Sequence, residues 1–560
     1  MKNSPKIYVL LLLQVLMGMP LMAQQTPWED PETTKGEIKD ANFIVVIDRV
    51  NTLPPAFRTF PKVDMVAPKE HFETQNYEFN DYKLTVPDIE CKVKILGVKP
   101  NDPKPVVGNY VKAGFGNYVT PYLDVFLASK ENENYVYGAR IKHLSSANGP
   151  VSNSGNSNNE ISAWGKYFMK DYTVTGGVDY WRNRVNFYGY DRIAGLPEPS
   201  KNDIKQVINN VVANVLLETS AKNNTAFNFK TGLQYSFLSD HYKATENEVM
   251  LNFTPKYDID KDRAVIGNAS FAYSNRADSG ALNRFMLVLR PQYALTLSKF
   301  KIKAGFDFTY ENDTTKTTSN AHFYPLISAE TEVITDKIIA EAGLDGGMEK
   351  NTLRSVLDQN MFIAPQVNIY NTNKKMDFYV GLKGALLKNL TFATKLSYRN
   401  YKNMYFFVND TGDRSKFNLL YDNGTTSLIK YIGELTYNQS EKLRLGIKGE
   451  YNHYETSKIE KAWQRPSFTS NFFATYNLRN KILFYADIYN MSGIVAKDFK
   501  TNEVKNLNTI FDVNIRTDYR YSEKFSAFLE VNNLFAQKYQ RYLYYQNKGL
   551  NLILGITYRF

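Results

Sequence analysis

Cysteine is almost absent from this sequence of 560 residues, which contains only Cys91. A single thiol excludes an internal disulfide framework and a cysteine-based metal site. Histidine is also scarce: none of the five histidines pairs with another at the i, i+2 or i, i+4 spacing of a local metal site. No Ser, His and acid constellation stands out either. We therefore predict a protein that is not an enzyme, with no catalytic, cofactor-binding or metal-binding residues.

Long hydrophobic runs are missing from the chain after residue 23, and the mean hydropathy is −0.42. Helical membrane spans need about 18 or more consecutive apolar residues, so they are excluded there. Basic tracts are missing as well, because the formal net charge of +11 is spread along the whole sequence. A nucleic-acid partner is therefore not expected.

The N-terminus has the pattern of a signal peptide, residues 1–23. Lys2 and Lys6 form a basic region, residues 7–16 are apolar, and small residues precede the expected cleavage after Ala23. A transmembrane anchor is the alternative, but the apolar stretch is short and is interrupted by Gln14.

Aromatic residues are abundant, with 40 Tyr and 35 Phe. From residue 109 to Phe560, stretches of about ten residues alternate apolar and polar side chains. In the stretch 443–452, apolar residues fall on one face, and Arg444, Lys448 and Glu450 fall on the face that should point inward. The pattern predicts an all-β fold, a large antiparallel transmembrane β-barrel over residues 109–560. A soluble β-sandwich or β-propeller is the alternative.

Short and long connections alternate between these stretches, as in a barrel whose periplasmic turns are short and whose outer loops are long. The predicted short turns are Asp258–Lys261, Ser298–Lys299, Thr335–Lys337, Lys388–Asn389, Gln439–Lys442, Arg479–Lys481 and Ser522–Lys524. The predicted long loops are Ser145–Asn158, Arg184–Lys205, Glu349–Lys374, Lys402–Asn423, Glu455–Arg465, Ser492–Asn506 and Ala536–Gly549. This alternation gives about 22 strands and a cylinder roughly 40 Å across, too wide to be filled by its own side chains.

Residues 24–108 differ from the rest, since prolines are spread through a charged sequence without periodicity. We expect a short extended N-terminal segment, periplasmic or lumenal, rather than a compact domain. Its one strong strand signal is Phe43, Ile44, Val45, Val46 and Ile47. This run is a candidate strand for pairing with TonB or another periplasmic protein. Alternatively, it pairs with the wall of its own barrel or packs in the lumen.

The C-terminus carries a recognisable pattern: the run 532–535 (Asn-Asn-Leu-Phe), then Lys538-Tyr539, Gly549, and a last strand that ends in Tyr558 and Phe560. It resembles the end of TonB-dependent outer-membrane receptors, and the resemblance extends more weakly over the barrel part of the chain. It implies transport across the outer membrane and an insertion signal at Tyr558 and Phe560 for the barrel-assembly machinery. That family has a plug domain before the barrel. The segment 24–108 is shorter and lacks the Gly-rich pattern of a plug.

Four tyrosines are concentrated in the last predicted outer loop: Tyr539, Tyr542, Tyr544 and Tyr545. They are candidate contacts for a sugar or a partner protein, because tyrosine rings are flat and amphipathic. The alternative, which we favour, is an aromatic girdle at the membrane interface.

Two functions fit these features in the outer membrane of a Gram-negative type of cell. The first is a transport barrel resembling a TonB-dependent receptor without a full plug, its lumen blocked by the N-terminal segment, by infolded loops or by another protein. The second is a structural or accessory subunit that serves as a platform for lipoproteins or periplasmic partners. Besides these proteins, the expected partners are outer-membrane lipid, the assembly machinery and TonB. A barrel hydrolase is disfavoured because no nucleophile with its base is evident.

Signal-peptide cleavage can be tested with the substitution Ala23→Arg. Mass spectrometry of the wild-type protein from outer membranes should find Gln24 at the N-terminus. The variant should retain residues 1–23, because cleavage needs a small residue at this position, whereas Ala41→Arg should be processed normally. Recovery of the mature chain as a soluble periplasmic protein would contradict the barrel prediction.

Overall fold

The computed structural model describes residues 108–130, 132–192, 197–220, 225–278, 281–313 and 320–560. The predicted signal peptide 1–23, residues 24–107 of the N-terminal segment and the candidate pairing strand Phe43–Ile47 lie outside the described residues, so these predictions remain predictions. No helix among the described residues is long and apolar enough to cross a membrane.

Strands dominate the described residues, which contain 28 strands and one short helix. In chain order they are β1 (Tyr110–Gly116), β2 (Thr120–Ala128), β3 (Tyr135–Ser146), β4 (Asn156–Phe168), β5 (Tyr172–Asn186), β6 (Lys205–Thr219), β7 (Phe227–Asp240), β8 (Thr245–Asp258), β9 (Arg263–Ile266), β10 (Ala269–Ala277), β11 (Ala281–Leu289), β12 (Gln292–Leu297), β13 (Phe300–Glu311), β14 (Ala321–Ile334), β15 (Ile338–Glu349), α1 (Leu353–Gln359), β16 (Thr372–Leu387), β17 (Leu390–Asn409), β18 (Phe417–Gln439), β19 (Leu443–Glu455), β20 (Phe468–Leu478), β21 (Ile482–Ser492), β22 (Val495–Asp498), β23 (Glu503–Asn506), β24 (Ile510–Arg520), β25 (Phe525–Asn532), β26 (Gln540–Tyr542), β27 (Tyr545–Gln546) and β28 (Asn551–Arg559).

One antiparallel sheet closes on itself to form a barrel. The first strand, β1, pairs with β2 on one side and with the last strand, β28, on the other, in a register from Tyr110 opposite Arg559 to Gly116 opposite Ile553. Closure leaves no free sheet edge, so the backbone N–H and C=O groups of the wall are satisfied within it. The alternative of a soluble β-sandwich or propeller is therefore wrong.

The sheet contains 24 strand segments among the described residues, and they form 22 barrel strands. The segments β9 and β10 both pair with β8, and β11 and β12 both pair with β13, so each pair is one interrupted strand. The second interruption falls at Pro291, where the facing strand carries Gly305. A Cβ atom on Gly305 would lie 2.0 Å from the carbonyl oxygen of Pro291, so only glycine fits. The predicted number of strands is confirmed.

Side chains on the wall alternate between lipid and lumen as predicted. On β19, Ile447 and Tyr451 point outward, and the Ile447 side chain is 47% exposed. The intervening Glu450 points inward, where its Oε1 atom lies 2.6 Å from Nζ of Lys430. Apolar side chains thus cover the outside of the barrel, and paired charges line the inside.

The predicted short turns agree with the structure to within about a residue, and they all lie at one rim. Phe560 lies at this rim too, where its N–H donates to the carbonyl oxygen of Asn109 at 3.1 Å. By the rule that periplasmic turns are short, this rim is periplasmic. Outer connections are more varied than predicted, since residues 117–119 and 241–244 form short ones.

One predicted loop, Lys402–Asn423, is wrong. The strand β17 continues to Asn409 and β18 begins at Phe417, so only residues 410–416 connect them. These outer extensions were missed because apolar residues occupy both faces: Tyr405, Phe406, Phe407 and Val408 are consecutive and all buried. A strand that is covered on both faces loses the alternation that marks a half-buried one.

Apolar residues cover the outward face of the outer extension of β17 and β18. Phe406 and Val408 pack with Trp463 of the loop between β19 and β20, and we call these three residues the flank cluster. The cluster explains how apolar side chains on the outside of the wall are shielded where the long strands pass beyond their neighbours.

The substitution Ile447→Arg tests the lipid-facing assignment of β19. An arginine on the lipid face near the bilayer midplane costs about 2–4 kcal/mol, so the midpoint of urea unfolding in lipid vesicles should fall accordingly. The matched control Lys448→Arg places the same side chain on the lumenal face and should leave the midpoint unchanged. Equal midpoints for the two variants would contradict the assignment.

Candidate functional site

Long outer connections meet over the barrel opening, which makes this mouth the candidate functional site. One apolar cluster joins residues of three outer connections with residues of the wall, and we call it the mouth cluster. It consists of Ile208, Leu238, Ala244, Leu353, Val356, Leu357, Ile363, Val367, Ile369, Tyr405, Phe407, Phe417, Tyr542 and Tyr545.

The mouth cluster spans the lumen from one wall to the other. Ile208 and Leu238 belong to β6 and β7, whereas Tyr405 and Phe417 belong to β17 and β18. Around the ring, seven barrel strands separate β7 from β17 and eleven separate β18 from β6. These walls are therefore nearly opposite each other. Residues 350–371, which connect β15 to β16 and contain α1, fill the space between them. The loops fold inward and form a cover over the opening between these two walls.

The helix α1 forms at the centre of this cover because its sequence supplies a cap and an apolar face. Thr352 is the N-cap: its side chain accepts a hydrogen bond from the backbone N–H of Ser355, and the Ser355 hydroxyl accepts one from the N–H of Thr352. Leu353, Val356 and Leu357 form the buried face, and Val356 is 0% exposed. Packing rather than length stabilises this short helix.

Two glutamates of β8 anchor the start of α1 to the wall. Glu246 accepts hydrogen bonds from the backbone N–H groups of Leu353 and Arg354, at 2.7 Å and 3.1 Å. Glu248 forms ion pairs with Lys350 and Arg354, at 2.7 Å and 3.3 Å. Burial lowers the pKa of Lys350, and the negative charge of Glu248 opposes this effect.

Two arginines hold the rest of the loop from the same side. Arg276 of β10 donates to the carbonyl oxygen of Val367 at 2.7 Å, and Arg284 of β11 donates to that of Asn351 at 2.8 Å. The loop is thus attached to the wall mainly by side chains. Its strand-like contact among the described residues is a single bridge between Ile363 and Phe417.

Tyr542 and Tyr545 lie inside this cover. They are 8% and 4% exposed. The Tyr542 hydroxyl donates to the carbonyl oxygen of Gln359 at 2.5 Å, and the Tyr545 ring stacks on Phe362 with 3.7 Å between centroids. The interpretation as a membrane-interface girdle is wrong for these two residues, because they pack on a loop far away in sequence. They are also closed to an external sugar in this arrangement.

Tyr539 and Tyr544 line a cavity of about 390 Å³ between the last two outer connections, residues 493–509 and 533–550. The Tyr539 hydroxyl donates to Oδ2 of Asp512 at 2.6 Å, and the Tyr544 hydroxyl donates to Asp498. The prediction that Tyr539 and Tyr544 contact an outside ligand or partner remains a prediction.

Lys548 joins the last outer loop to the loop between β3 and β4. Its Nζ atom donates to Ser146 Oγ and Asn156 Oδ1 at 2.8 Å each, and to the carbonyl oxygen of Ala147 at 3.1 Å. Burial lowers the pKa of Lys548 to about 8. This contact links the connection before the last strand, β28, to the connection between β3 and β4.

The predicted insertion signal lies at the opposite rim. Tyr558 and Phe560 are both exposed, and their rings stack with 5.7 Å between centroids. Tyr558 also contacts Phe525, at 4.8 Å between centroids. Their role in insertion remains a prediction. Within the part of the chain that the structure describes, no group of three His, Cys, Asp or Glu residues could hold a metal ion.

Comparison with known proteins shows the fold. No protein-family model matches the sequence, and no curated protein matches it either. Solved structures do match. The FrpB iron transporter from Neisseria meningitidis (F3-3 variant) has a TM-score of 0.64 and 10% identity, with 81% of each chain covered. The ferripyoverdine receptor of the Pseudomonas aeruginosa outer membrane has a TM-score of 0.62 and 11% identity, with 81% of this chain and 71% of that chain covered.

The ferric-catecholate import receptor Fiu from Escherichia coli K12 is similar too, with a TM-score of 0.60, 9% identity and coverage of 81% of this chain and 82% of that chain. These matches confirm the resemblance to TonB-dependent outer-membrane receptors for the barrel part. Together with the closed sheet and its apolar outer face, they identify a barrel of the outer membrane that crosses the bilayer many times. The neighbours named here are transporters or receptors rather than enzymes.

The substitution Val356→Asp should release the loop of residues 350–371. An unpaired carboxylate in an apolar cluster is strongly destabilising, and the loop can leave without breaking the barrel. Limited digestion with trypsin should then cut after Lys350 and Arg354 at least about tenfold faster than in the wild type. The control Gln359→Asp places a carboxylate on the exposed side of the same helix and should be cut at the wild-type rate. Equal resistance in both variants would contradict the packing.

Proposed function

We propose that this chain takes part in transport across the outer membrane as a TonB-receptor-like barrel without a full plug, and that its own loops close the outer mouth. The observation that carries the proposal is the mouth cluster, which crosses a barrel of 22 strands. An open cylinder of that width would admit large solutes and defeat the outer membrane as a barrier. A closed mouth on a wide barrel is what a gated passage requires.

The way the cover is attached supports a gate rather than a permanent seal. Residues 350–371 are held by ion pairs and hydrogen bonds from Glu246, Glu248, Arg276 and Arg284 and by apolar packing. The hydrogen-bond ladders between barrel strands do not depend on these contacts. The loop can therefore exchange between a docked and an undocked state while the wall stays intact, which is how loops gate passages in other proteins.

The solved relatives support a transport role by their names, which describe an iron transporter, a ferripyoverdine receptor and a ferric-catecholate import receptor. For this chain, energy coupling would depend on the N-terminal segment. The run Phe43–Ile47 has the β-strand composition needed to add a strand to TonB or to another periplasmic protein. Signal-peptide cleavage after Ala23 would leave this segment on the periplasmic side.

Liposome swelling with the trisaccharide raffinose tests the proposal in five purified proteins: wild type, a deletion of residues 24–105, Val356→Asp, and the deletion combined with either Val356→Asp or Gln359→Asp. The wild type and the deletion alone should both be impermeable, because the loops close the mouth. Liposomes that contain the combined variant should swell, since neither the loop nor the N-terminal segment remains in place. The deletion combined with Gln359→Asp is the matched control and should stay closed.

Two results would contradict the proposal. If liposomes with the deletion alone swell as fast as liposomes with the combined variant, the outer loops are not the barrier. If the combined variant stays impermeable while affinity purification in mild detergent recovers a lipoprotein at fixed stoichiometry, the chain is a structural platform instead. Gel migration of unheated and heated samples shows that each variant is folded, so misfolding is separable from closure.

A further inference from the structure

The cavity between the last two outer connections is a separate feature of the outer face. It has a volume of about 390 Å³, within the range of roughly 300–1,000 Å³ that is usual for small-molecule sites. Residues 505–508, which include the end of β23, form one side, and residues between 538 and 546 form the other. The cavity belongs neither to the mouth cluster nor to the lumenal wall.

The lining is rich in hydrogen-bond donors and positively charged. Two of its residues are lysines, Lys505 and Lys538, and none of the described lining residues is acidic. Four side-chain amides add further N–H donors: Asn506, Asn508, Gln540 and Gln546. Lys505 has a carboxylate partner, Glu503 at 3.3 Å, but Glu503 is exposed to solvent, where such a pair contributes little.

The carboxylates behind the lining already have partners. Asp498 accepts a hydrogen bond from the Tyr544 hydroxyl and pairs with Arg414 at 3.2 Å. Asp512 accepts a hydrogen bond from the Tyr539 hydroxyl at 2.6 Å. Arg414 balances the charge of Asp498, whereas Asp512 keeps its negative charge, because a hydroxyl donor does not neutralise a carboxylate. Among the residues that line the cavity, the two lysines are the charged ones, so a ligand in direct contact with the lining meets positive charge.

The geometry does not suit a neutral sugar stacked on Tyr544. The guanidinium of Arg414 lies 3.8 Å from the centre of the Tyr544 ring, and Nζ of Lys505 lies 5.4 Å from it. The Tyr544 ring therefore already has two cations as partners. What remains available at the cavity is positive charge and amide donors, which match carboxylate and phosphate groups.

We propose that this cavity binds a small anionic solute that carries carboxylate or phosphate groups. This site rests on the proposed transport function, because its solute would arrive from the outer medium. The cavity adds the chemical class of that solute. Lys505 and Lys538 supply the charge, and the amide groups fix the orientation. Lipopolysaccharide phosphates share this chemistry, so the test must separate a soluble anion from a lipid headgroup.

Isothermal titration of the purified full-length chain in lipid-free detergent, with citrate and with pyrophosphate as probes, tests the site. The wild type should bind at least one of the two probes, and higher salt should weaken the binding. The double variant Lys505→Gln/Lys538→Gln should bind at least about tenfold more weakly, because it loses both charge-assisted contacts. The matched control Lys481→Gln/Lys524→Gln removes the same charge from periplasmic turns and should bind like the wild type.

Four outcomes would overturn the inference. The first three are no binding of either citrate or pyrophosphate, equal weakening in both double variants, and binding of lipid A micelles that neither probe displaces. Glucose serves as the neutral reference, and binding of glucose as strong as that of the anions would also overturn it. Since liposome swelling in raffinose does not depend on these lysines, a negative titration result does not contradict the proposed gating by the outer loops. A failure of the swelling test leaves the binding result intact.

Discussion

The satisfaction of backbone hydrogen bonds in lipid is the constraint from which the rest of this structure follows. A sheet inside a bilayer can leave no N–H or C=O group unpaired, so the strand that begins at Tyr110 must meet the one that ends at Arg559. Closure with 22 strands then fixes a wide cylinder. The width has a consequence for the loops, because the interior of such a cylinder cannot be filled from its wall. Residues 350–371 and the last outer loop supply the missing material at one end.

The cover differs from the wall in the kind of interaction that stabilises it. Strand ladders hold the wall, and they resist opening because each broken bond would be left in lipid. Apolar packing around Val356 and ion pairs such as Glu248 with Lys350 hold the cover, at a position where water can replace the lost contacts. The two parts of the molecule can therefore differ in stability although they touch. The cover can therefore undock from the mouth while the barrel wall stays rigid.

Much of the fold could be predicted from the sequence, because a strand between lipid and water leaves a local signature. Ile447 and Lys448 are neighbours with opposite environments, and the alternation they show repeats along the wall. The signature disappears at Phe406 and Phe407, where the flank cluster covers one face and the mouth cluster the other. The candidate site could not be predicted in the same way. Tyr542 contacts Gln359, which is 183 positions away, and no local pattern records that contact.

The four residues 542–545 are where the cover and the cavity share one piece of backbone. Tyr542 and Tyr545 belong to the mouth cluster, while Leu543 and Tyr544 between them line the cavity. Because the segment is so short, a shift of Leu543 and Tyr544 also displaces Tyr542 and Tyr545. If an anion binds in the cavity and the cover undocks as proposed, the two events are linked, and thermodynamic linkage is reciprocal: an anion that favours the undocked cover is itself bound more tightly when the cover is undocked. The last outer loop is the part of the chain that both proposed events would share.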